Sequence, residues 1–441
     1  MPLRDRPLRI WQICESYPPH YGGGAAIIVR DISHALAGRG HDVQVLTTES
    51  RPGADYTGRI EPDESVRVER INLRYFRERD PDGWQLGMRA WRRHERRIAQ
   101  LIEERIRSWR PDIVQYHTTR PFGEGAPLAI ARNGLPIVAM LHEAWFLCAR
   151  LMLLRSPQSE PCSGPGPVKC LECMYSHYDG GHRQALPKLT WRLPRLGIYP
   201  AYRLWRRRAA RRALTGAVGY SHFMVDAHQT RTGGEARYVP IGINLAGVPA
   251  TRPSRPRKPL RFGFFGGFQP NKGIWSVLDA AAALKRQGLE FELHIWGPQD
   301  GDETAEVAAR DLEDRVLLRG VYAPREMWET YREIDVAVMA TTVCEPFGRV
   351  PLEARAVGAP TIAPAIGGLG ESIRDDVDGL LFEFGDVKEL ERQMRRVLTE
   401  KGLFERLVAG LLPTIDTRTR GEVLEATYRS ILAEHPTLAR S

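Results

Sequence analysis

The sequence predicts an α/β protein made of two doubly wound, Rossmann-like domains. Short apolar runs alternate with helical patterns along both halves of the chain, and such alternation is typical of parallel sheets covered by helices. A proline-rich segment with few large apolar side chains, LAGVPATRPSRPRKP at 245–259, reads as a linker between the halves. With 441 residues, the chain is also too long for one ordinary hydrophobic core.

The first half contains five short runs that predict buried strands. In chain order they are LRIWQIC, HDVQVLTT, RVERINL, DIVQY and PIVAML. A helix is predicted over VRDISHALAGRGH, where Gly38 and Gly40 can end it. Its apolar side chains share one face: Val29, Ile32, Leu36 and Ala37.

The alternation restarts after the linker. A helix is predicted from about Gly273, and the strands are LRFGFFG, FELHIWG, RVLLRG, DVAVMA, PTIAPA and GLLFEF. The last stretch, GEVLEATYRSILAEH, is amphipathic, with an apolar set of Val423, Leu424, Tyr428, Ile431 and Leu432. We therefore expect a first domain at 1–245, with a C-terminal helix at 418–441 packing back on it, and a second at 246–417. The two are expected to face each other across a cleft, with ligands at the carboxyl ends of the strands.

Composition and charge bound the classes of function. At 42% hydrophobic and 27% charged residues, the chain is typical of a globular protein. No run approaches the ~18 apolar residues of a spanning helix, and the N-terminus lacks the apolar core of a signal peptide, which favours a cytoplasmic location. The net charge of +9 is uneven, because ten basic and no acidic residues lie between Asp179 and Asp226. That block favours phosphate-bearing partners or an anionic membrane, with a solvated helix face as the alternative.

The segment EPFGRVPLE places two carboxylates around a rigid turn. Glu345 follows a predicted strand, and the amides near Phe347, Gly348 and Arg349 would point out of a helix N-terminus, which suits a diphosphate. The Arg349 guanidinium could add a charge-assisted contact. Glu353, one turn into the helix, could accept hydrogen bonds from two ribose hydroxyls. Together these groups describe a nucleotide sugar, although a glutamate in a first helical turn often only complements the helix dipole.

The wider pattern resembles a known family. EPFGRVPLEARAVGAPTIAPAIGGLGE, followed by DDVDGLLFEFGD, resembles the donor-site signature of the retaining glycosyltransferases of family 4, which have the GT-B fold. The resemblance runs over nearly the whole chain and includes YPPHYGGG, GRGHDVQVLTT, RPDIVQYH, LHEAW and FFGGFQPNKG. In this order the motifs are specific, although each is loose when taken singly.

The resemblance implies roles for residues of the first domain. Gly22, Gly23 and Gly24 would let backbone amides face the donor phosphates, with a plain tight turn as the alternative. His142, in LHEAW, would be a catalytic residue that hydrogen-bonds a hydroxyl of the transferred sugar. His117 is expected to be structural or peripheral to the cleft.

In the second domain, the resemblance makes Lys272 the cation that neutralises the leaving diphosphate. Glu345 would be catalytic and lie beside the donor sugar, and Glu371 would be a secondary contact or a helix-end residue. The chain departs from the family where it reads Gly266-Gly267, since the family usually has a Gly-Arg pair there. The loss of one cation from an enclosed site typically costs a few kcal/mol of transition-state stabilisation.

The implied reaction is retaining transfer of a sugar from a UDP- or GDP-sugar to a glycan or lipid-diphosphate-linked acceptor, in surface polysaccharide or other glycoconjugate assembly. The leaving phosphate would help to deprotonate the acceptor, and catalysis would need no cofactor or metal. The alternatives are a catalytically weak or inactive nucleotide-sugar-binding protein, which the missing arginine favours, and a sugar-nucleotide epimerase. Nucleic acid is not an expected partner, because no reading module is present. The acidic pair of Asp80-Pro81-Asp82 is interpreted as a turn.

Four of the six cysteines cluster in a Gly/Pro-rich stretch. They are Cys148, Cys162, Cys170 and Cys173. A C-x2-C pair with two further thiols nearby can form a tetrahedral zinc site, so structural zinc is the favoured interpretation. Free or redox-sensitive thiols and an iron–sulfur cluster are the alternatives. The insertion also resembles one found in a subset of family 4 enzymes, and there it would line the acceptor side of the cleft.

The acid-free stretch after the cysteines interleaves aromatic and aliphatic groups with arginines. Such a pattern suits a surface whose apolar groups reach the acyl boundary of a membrane while its cations bind lipid phosphates. We therefore predict membrane-surface contact through 183–212, which would place the protein peripherally on the inner membrane face near a lipid-diphosphate acceptor.

Overall fold

The computed structural model describes residues 6–19, 23–79, 88–118, 120–148, 153–155, 160–166, 168–170, 172–173, 195–249, 256–299 and 301–435. The chain divides into two units, one of Met1–Gly242 with Thr417–Ser441 and one of Ile243–Asp416. Within the described ranges, no helix is both long and apolar enough to cross a membrane. Gly22, the Asp80–Asp82 turn and residues 183–194 of the predicted membrane contact lie outside the described residues.

The first unit is built on an eight-stranded sheet and a short two-stranded ribbon. The strands are β1 Arg9–Ile13, β2 Asp42–Glu49, β3 Gly58–Asp63, β4 Val66–Asn72, β5 Ile113–Tyr116, β6 Ile137–Met140, β7 Leu154–Arg155, β8 Glu160–Pro161, β9 Gly216–Gly219 and β10 Ala236–Tyr238. The sheet order is β10-β9-β6-β5-β1-β2-β4-β3, and β7 and β8 form the ribbon. All neighbours in the sheet are parallel except β3 and β4. The order reverses at β1, which pairs with both β2 and β5.

Within the described ranges, the following helices accompany these strands. They are α1 Gly24–Gly38, α2 Arg74–Arg79, α3 Met88–Trp109, α4 Gly125–Arg132, α5 Arg195–Arg212 and α6 His222–Thr232. The predicted helix corresponds to α1, which buries Val29, Ile32 and Leu36 but leaves Ala37 half-buried. In α6, Ser221 is the N-cap and accepts a hydrogen bond from the Met224 amide, as expected for a serine that precedes a helix.

The second unit has a six-stranded, fully parallel sheet. Its strands are β11 Leu260–Phe265, β12 Phe291–Trp296, β13 Val316–Gly320, β14 Val336–Val338, β15 Thr361–Pro364 and β16 Gly379–Phe382. The order is β13-β12-β11-β14-β15-β16, so that the order reverses between β11 and β14. The helices are α7 Ile274–Arg286, α8 Glu303–Ala308, α9 Met327–Arg332, α10 Val350–Val357, α11 Gly367–Glu371, α12 Val387–Thr399 and α13 Leu403–Gly410.

The C-terminal helix, α14 at Thr417–Glu434, belongs to the first unit and packs against α1. Its buried apolar side chains are Leu424, Tyr428, Ile431 and Leu432, while Val423 is half-buried. The helix also buries Arg420, a charged residue that the hydrophobic pattern did not single out.

The predicted fold class, two doubly wound α/β domains, is confirmed. All eleven predicted strands form, and most of them are apolar runs that a parallel sheet with two covered faces can bury. The sequence missed β3, β9, β10 and the ribbon. Two of these, GAVG and ARY, are too short and too poor in large apolar groups to stand out.

Candidate functional site

In the second unit, the loops that follow β11 and β14 meet where the strand order reverses. Lys272 lies in the first loop and Glu345 in the second, and Lys272 Nζ is 2.9 Å from Glu345 Oε1. Thr341 Oγ1 donates to the Asn271 carbonyl over 3.0 Å, which ties the loops together. Both charged side chains remain partly exposed, at 32% and 17%. A cation and a carboxylate therefore stand at the edge of the sheet where open α/β sheets bind ligands.

The turn at EPFG leads into α10 through Arg349, which is its N-cap. In the described part of the chain, the backbone amides of Phe347 and Gly348 donate to no protein acceptor. Donors at a helix N-terminus favour an anion, because the unpaired N–H groups and the helix dipole both carry positive charge there. The predicted phosphate contacts of this turn thus have donors available for a ligand.

Glu353 is 5% exposed and has two protein partners. Arg349 Nε donates to its Oε1 over 2.8 Å, and the Tyr331 hydroxyl donates to its Oε2 over 2.6 Å. The sequence analysis assigned Arg349 to phosphate and Glu353 to ribose as separate contacts, whereas the structure pairs them with each other. A carboxylate has about four lone-pair sites, so Glu353 keeps acceptor capacity beyond these two partners.

Tyr331, the partner of Glu353, belongs to a cluster of aromatic rings that the sequence analysis did not identify. The Phe265 ring stacks on Tyr331 at 4.0 Å and on Trp296 at 4.9 Å, with Tyr322 edge-on at 6.3 Å. Burial, and then the Glu353 charge, raise the pKa of Tyr322 to about 12, and they raise the pKa of Tyr331 well above its usual value. Both phenols therefore stay protonated, and Tyr331 can act as a hydrogen-bond donor.

The position where the family has arginine is sterically closed. Gly267 has a φ of 59°, and a Cβ atom added there would lie 2.4 Å from the Pro298 carbonyl oxygen. Since both the left-handed backbone and this contact demand glycine, the departure at 267 follows from the local path of the chain. With Arg349 paired to Glu353, Lys272 remains as the cation of the predicted donor set that faces Glu345.

In the first unit, His142 follows β6 and belongs to a chain of hydrogen bonds. Its Nε2 lies 2.7 Å from His117 Nδ1, and His117 Nε2 lies 2.6 Å from Gln12 Oε1. With the Gln12 carbonyl as acceptor, His117 carries its proton on Nε2 and His142 donates from Nε2. The Nδ1 atom of His142 is then an acceptor for a ligand hydroxyl. His117, predicted to be structural, thus fixes the tautomer of the predicted catalytic histidine.

The C-terminal helix adds a cation to this group. Arg420 Nη2 donates to the Tyr220 hydroxyl over 2.6 Å, and the Tyr220 ring lies edge-on to His142 at 5.4 Å. Burial, and then the Arg420 charge, lower the pKa of His142 to about 3, and burial lowers the pKa of His117 well below its usual value. Both imidazoles are therefore neutral at pH 7. Arg420 is 1% exposed, and its Nε and Nη1 have no partner among the described residues.

The other predicted site residues are two glycines, one glutamate and the four cysteines. Gly23 precedes α1 with a φ of 87° and open space around its Cα, and Gly24 is the first residue of that helix. Glu371 ends α11 and is exposed, which agrees with the helix-end interpretation. The four predicted metal ligands all line one cavity of the first unit.

Three arginines of the predicted membrane surface are paired with acidic residues inside the first unit. Arg203 is buried, with its guanidinium 3.7 Å above the Trp91 ring and its Nε 3.2 Å from Glu124. Arg206 pairs with Glu95 at 3.3 Å, and Arg207 is also buried, with its Nε 3.6 Å from Glu124. These three arginines are bound to acids of α3 and the α4 N-terminus, which the sequence analysis could not pair because they lie some 80 to 110 residues away.

The chain is similar to known proteins both in sequence family and in fold. The family model described as Glycosyltransferase Family 4 matches residues 22–246, about half of the chain, and the model described as Glycosyl transferases group 1 matches 251–409. A D-inositol 3-phosphate glycosyltransferase of Geodermatophilus obscurus is 34% identical over 153 residues, which cover 32% of this chain and 33% of that enzyme. The chain thus spans about a third of the length of that relative.

Other relatives align over more of the chain at lower identity. A glycogen synthase of Mycobacterium tuberculosis is 26% identical over 90% of this chain and 88% of its own length. Among solved structures, a sucrose-phosphate synthase from Thermosynechococcus elongatus has a TM-score of 0.65 at 18% identity, covering 96% of this chain and 99% of that one. The Anabaena protein HepE in complex with UDP and glucose has a TM-score of 0.62 at 18% identity, covering 96% and 100%. These structural likenesses establish a shared fold.

Proposed function

The chain belongs to glycosyltransferase family 4, and from this premise we propose that it transfers a sugar from a nucleoside diphosphate sugar to a glycan or lipid-linked acceptor with retention of configuration. The observation that carries the proposal is the Lys272–Glu345 pair at the point of strand-order reversal in the second unit. A UDP-sugar is the first donor to test, since HepE, a neighbour of the same fold, binds UDP and glucose.

The second unit would hold the nucleoside diphosphate. Lys272 and the free amides of Phe347 and Gly348 would neutralise the diphosphate, and they act most strongly as charge builds up on it during departure. Glu353 would accept hydrogen bonds from the ribose hydroxyls while Tyr331 and Arg349 hold its carboxylate in place. The stacked Phe265 ring keeps Tyr331 in position for that role.

Two further groups would act on the sugar. Glu345 would contact the sugar hydroxyls, and the neutral His142 would accept a hydroxyl hydrogen bond at Nδ1. In the transfer, the bond between the anomeric carbon and the phosphate oxygen breaks, and a bond to the acceptor oxygen forms on the same face. The acceptor proton passes to the departing phosphate, which leaves no step that needs a cofactor.

Kinetics of matched variants test the proposal. Lys272→Ala and Glu345→Ala should each lower kcat/KM about 10²- to 10³-fold, because each removes an electrostatic contact from the transition state. Glu313→Ala, at an exposed position of the second unit, should leave kcat/KM within about twofold of the parent protein. Equal turnover of UDP-, GDP- and ADP-sugars by the three variants, whether by transfer or by slow hydrolysis, would show that Lys272 and Glu345 do not form the donor site.

A nucleotide-sugar-binding protein without transfer is the second candidate, and the glycine at 267 favours it. Thermal unfolding with each donor separates the two, because a ligand at 100 times its Kd stabilises a protein by about 2.7 kcal/mol. Donor-dependent stabilisation with neither transfer nor hydrolysis, over a panel of glycan and lipid-linked acceptors, would establish the binder.

We further propose that the outer faces of α3 and α5 bind an anionic membrane near a lipid-linked acceptor. Trp205 is 62% exposed, and Arg208 and Arg212 are exposed on the same face of α5. The Arg92 guanidinium of α3 lies 6.0 Å from the Tyr202 ring centre, so that the basic face of α3 adjoins α5. The exposed arginines of α3 are Arg89, Arg92, Arg93, Arg96, Arg97 and Arg107. A tryptophan among arginines suits the boundary between headgroups and acyl chains.

Vesicle sedimentation tests this surface. Arg208→Glu with Arg212→Glu should lower binding to phosphatidylglycerol-containing vesicles by an order of magnitude or more, since each cation near an anionic surface contributes about 1 kcal/mol. Arg286→Glu with Arg325→Glu, at exposed sites of the second unit, makes the same change in net charge and should bind nearly as the parent protein does. Equal losses in both proteins, or unchanged binding in the first, would overturn the membrane proposal while leaving the transfer proposal intact.

A further inference from the structure

A single cavity of the first unit is lined by four thiols from three separate segments. Cys148 lies in the loop that follows β6, Cys162 follows β8, and Cys170 and Cys173 come from the next segment. Leu147, Leu153 and Leu154 form an apolar wall of the same cavity. All four cysteines are half-buried and none forms a disulfide. The sequence analysis predicted these four cysteines as one set of metal ligands, and in the structure all four line the same cavity.

The backbone around the thiols is held by specific hydrogen bonds. The Gly166 amide donates to Cys170 Sγ over 3.3 Å. Arg207 Nη1 donates to the Cys148 carbonyl over 3.1 Å, and Arg231 Nη2 donates to the Cys162 carbonyl over 3.0 Å. Two segments that carry thiols are therefore anchored to α5 and α6.

The charge around the cavity suits a metal–thiolate centre. Four thiolates would repel one another in this half-buried cavity, so they need a cation in order to share it. Arg155 and Lys169 also line the cavity, and their positive charges would offset the net negative charge of four thiolates around a divalent ion. The site has few of the oxygen ligands that Mg²⁺ or Ca²⁺ would require.

We propose that Cys148, Cys162, Cys170 and Cys173 bind one Zn²⁺ as a closed, structural, tetrahedral site. Binding would release the thiol protons and join three chain segments that have little hydrophobic core of their own. In a tetrahedral site with Zn–S bonds of about 2.3 Å, the sulfurs stand about 3.8 Å apart. Among the described residues no three of these sulfurs lie within 4.8 Å of one another, so the half-buried side chains must close around the ion.

Metal analysis of the full-length protein, purified with reductant, tests the site directly. We expect about one zinc per chain, falling below about 0.2 in the Cys170→Ser, Cys173→Ser double variant. The matched control is Cys14→Ala, a buried cysteine at the end of β1, which should keep its zinc. Less than about 0.2 equivalents in the parent protein, zinc retained by the double variant, or iron in place of zinc would each overturn the proposal.

A second measurement covers the case in which the double variant fails to fold. Replacement of the metal by Co²⁺ in the parent protein should give the intense thiolate-to-cobalt absorption of a tetrahedral sulfur site, and addition of a strong chelator should abolish it and lower Tm. Absorption typical of oxygen and nitrogen ligands would contradict a four-thiolate site. Neither readout depends on glycosyl transfer, so the zinc proposal and the proposed function fail independently.

Discussion

At position 267 the chain has glycine where the family usually has arginine, and the local backbone explains why. Its φ of 59° and the 2.4 Å approach of a Cβ to the Pro298 carbonyl exclude any side chain without a shift of the backbone. The phosphate cation expected there is therefore absent for a structural reason. Simple restoration of arginine should not raise activity, since the larger side chain would displace the loops that carry Lys272.

Two alanine substitutions separate backbone strain from steric contact at this position. Gly267→Ala should lower Tm clearly more than Gly288→Ala, because Gly288 has a similar φ of 74° but nothing within 4 Å of an added Cβ. The strain common to both costs about 1 kcal/mol, and overpacking at 267 adds roughly 1–3 kcal/mol. Thermal unfolding of the two variants checks this prediction. Equal Tm values would mean that the Pro298 loop moves away freely.

Some side-chain contacts at the site could be predicted from the sequence, and others could not. The contact of Arg349 with Glu353 could have been predicted, since the residues are four apart on one helix and of opposite charge. Tyr331 and Arg420 could not, because each reaches its partner through tertiary packing across 22 and 200 positions of the chain. Neither residue lies in a motif, and a tyrosine or arginine in an amphipathic helix is usually attributed to the core or the surface.

At the scale of elements, α14 depends on close approach to α1. Gly421 allows it, since an added Cβ there would lie 3.0 Å from Ala35 Cβ. Beyond that point, Leu424, Tyr428, Ile431 and Leu432 are buried. The hydrophobic period predicted this helix and most of its buried face, but not the glycine contact, because a pattern of apolar residues does not specify the distance between helices.

Gly421→Val should therefore destabilise the protein by about 1–3 kcal/mol, because the extra methyl groups force α14 away from α1. Ala426→Val, at an exposed position of the same helix, tests the valine side chain without the contact and should cost only a few tenths of a kcal/mol. Denaturant unfolding of both variants supplies the comparison. Similar losses would show that α1 and α14 separate at little cost.

At the scale of the whole molecule, buried histidines are concentrated in the first unit. Burial lowers the pKa of His94 and of His228 to about 4 and that of His142 to about 3. In the unfolded chain these groups protonate at about 6.5. Between roughly pH 6.5 and 4 the unfolded state thus binds more protons, and the free energy of unfolding falls as the pH falls. Above about pH 7 these groups make no pH-dependent contribution.

The two units should consequently respond differently to mild acid. His294 is the only histidine of residues 243–416, so hydrogen-exchange protection should decrease more in the first unit than in the second between pH 7.5 and 5. His228→Gln should reduce this loss by on the order of 1 kcal/mol, because one protonation site is removed. Exchange rates corrected for their intrinsic pH dependence provide the measurement. An equal decrease in exchange protection in both units would contradict the attribution of the acid response to the buried histidines of the first unit.

The fold and the family were accessible from the sequence because they depend on repeated local patterns and on ordered motifs. The prediction of a family 4 glycosyltransferase agrees with the family that the chain belongs to. The aromatic stack on Phe265 and the hydrogen-bond chain from Gln12 to His142 were inaccessible, since each unites the ends of strands that are far apart in the chain. In the first unit, the place of β3 at the edge of the eight-stranded sheet and the buried arginines of α5 likewise depend on long-range packing.

The division of the chain has a consequence for biosynthesis. Ile243 and Asp416 pair with each other, so that the second unit begins and ends at one place and interrupts the first unit between Gly242 and Thr417. A nascent chain leaves the ribosome in order, and α14 emerges after the whole second unit. Until α14 has emerged, the surface of α1 that α14 covers stays exposed to solvent and to chaperones, whereas the second unit can complete its core beforehand.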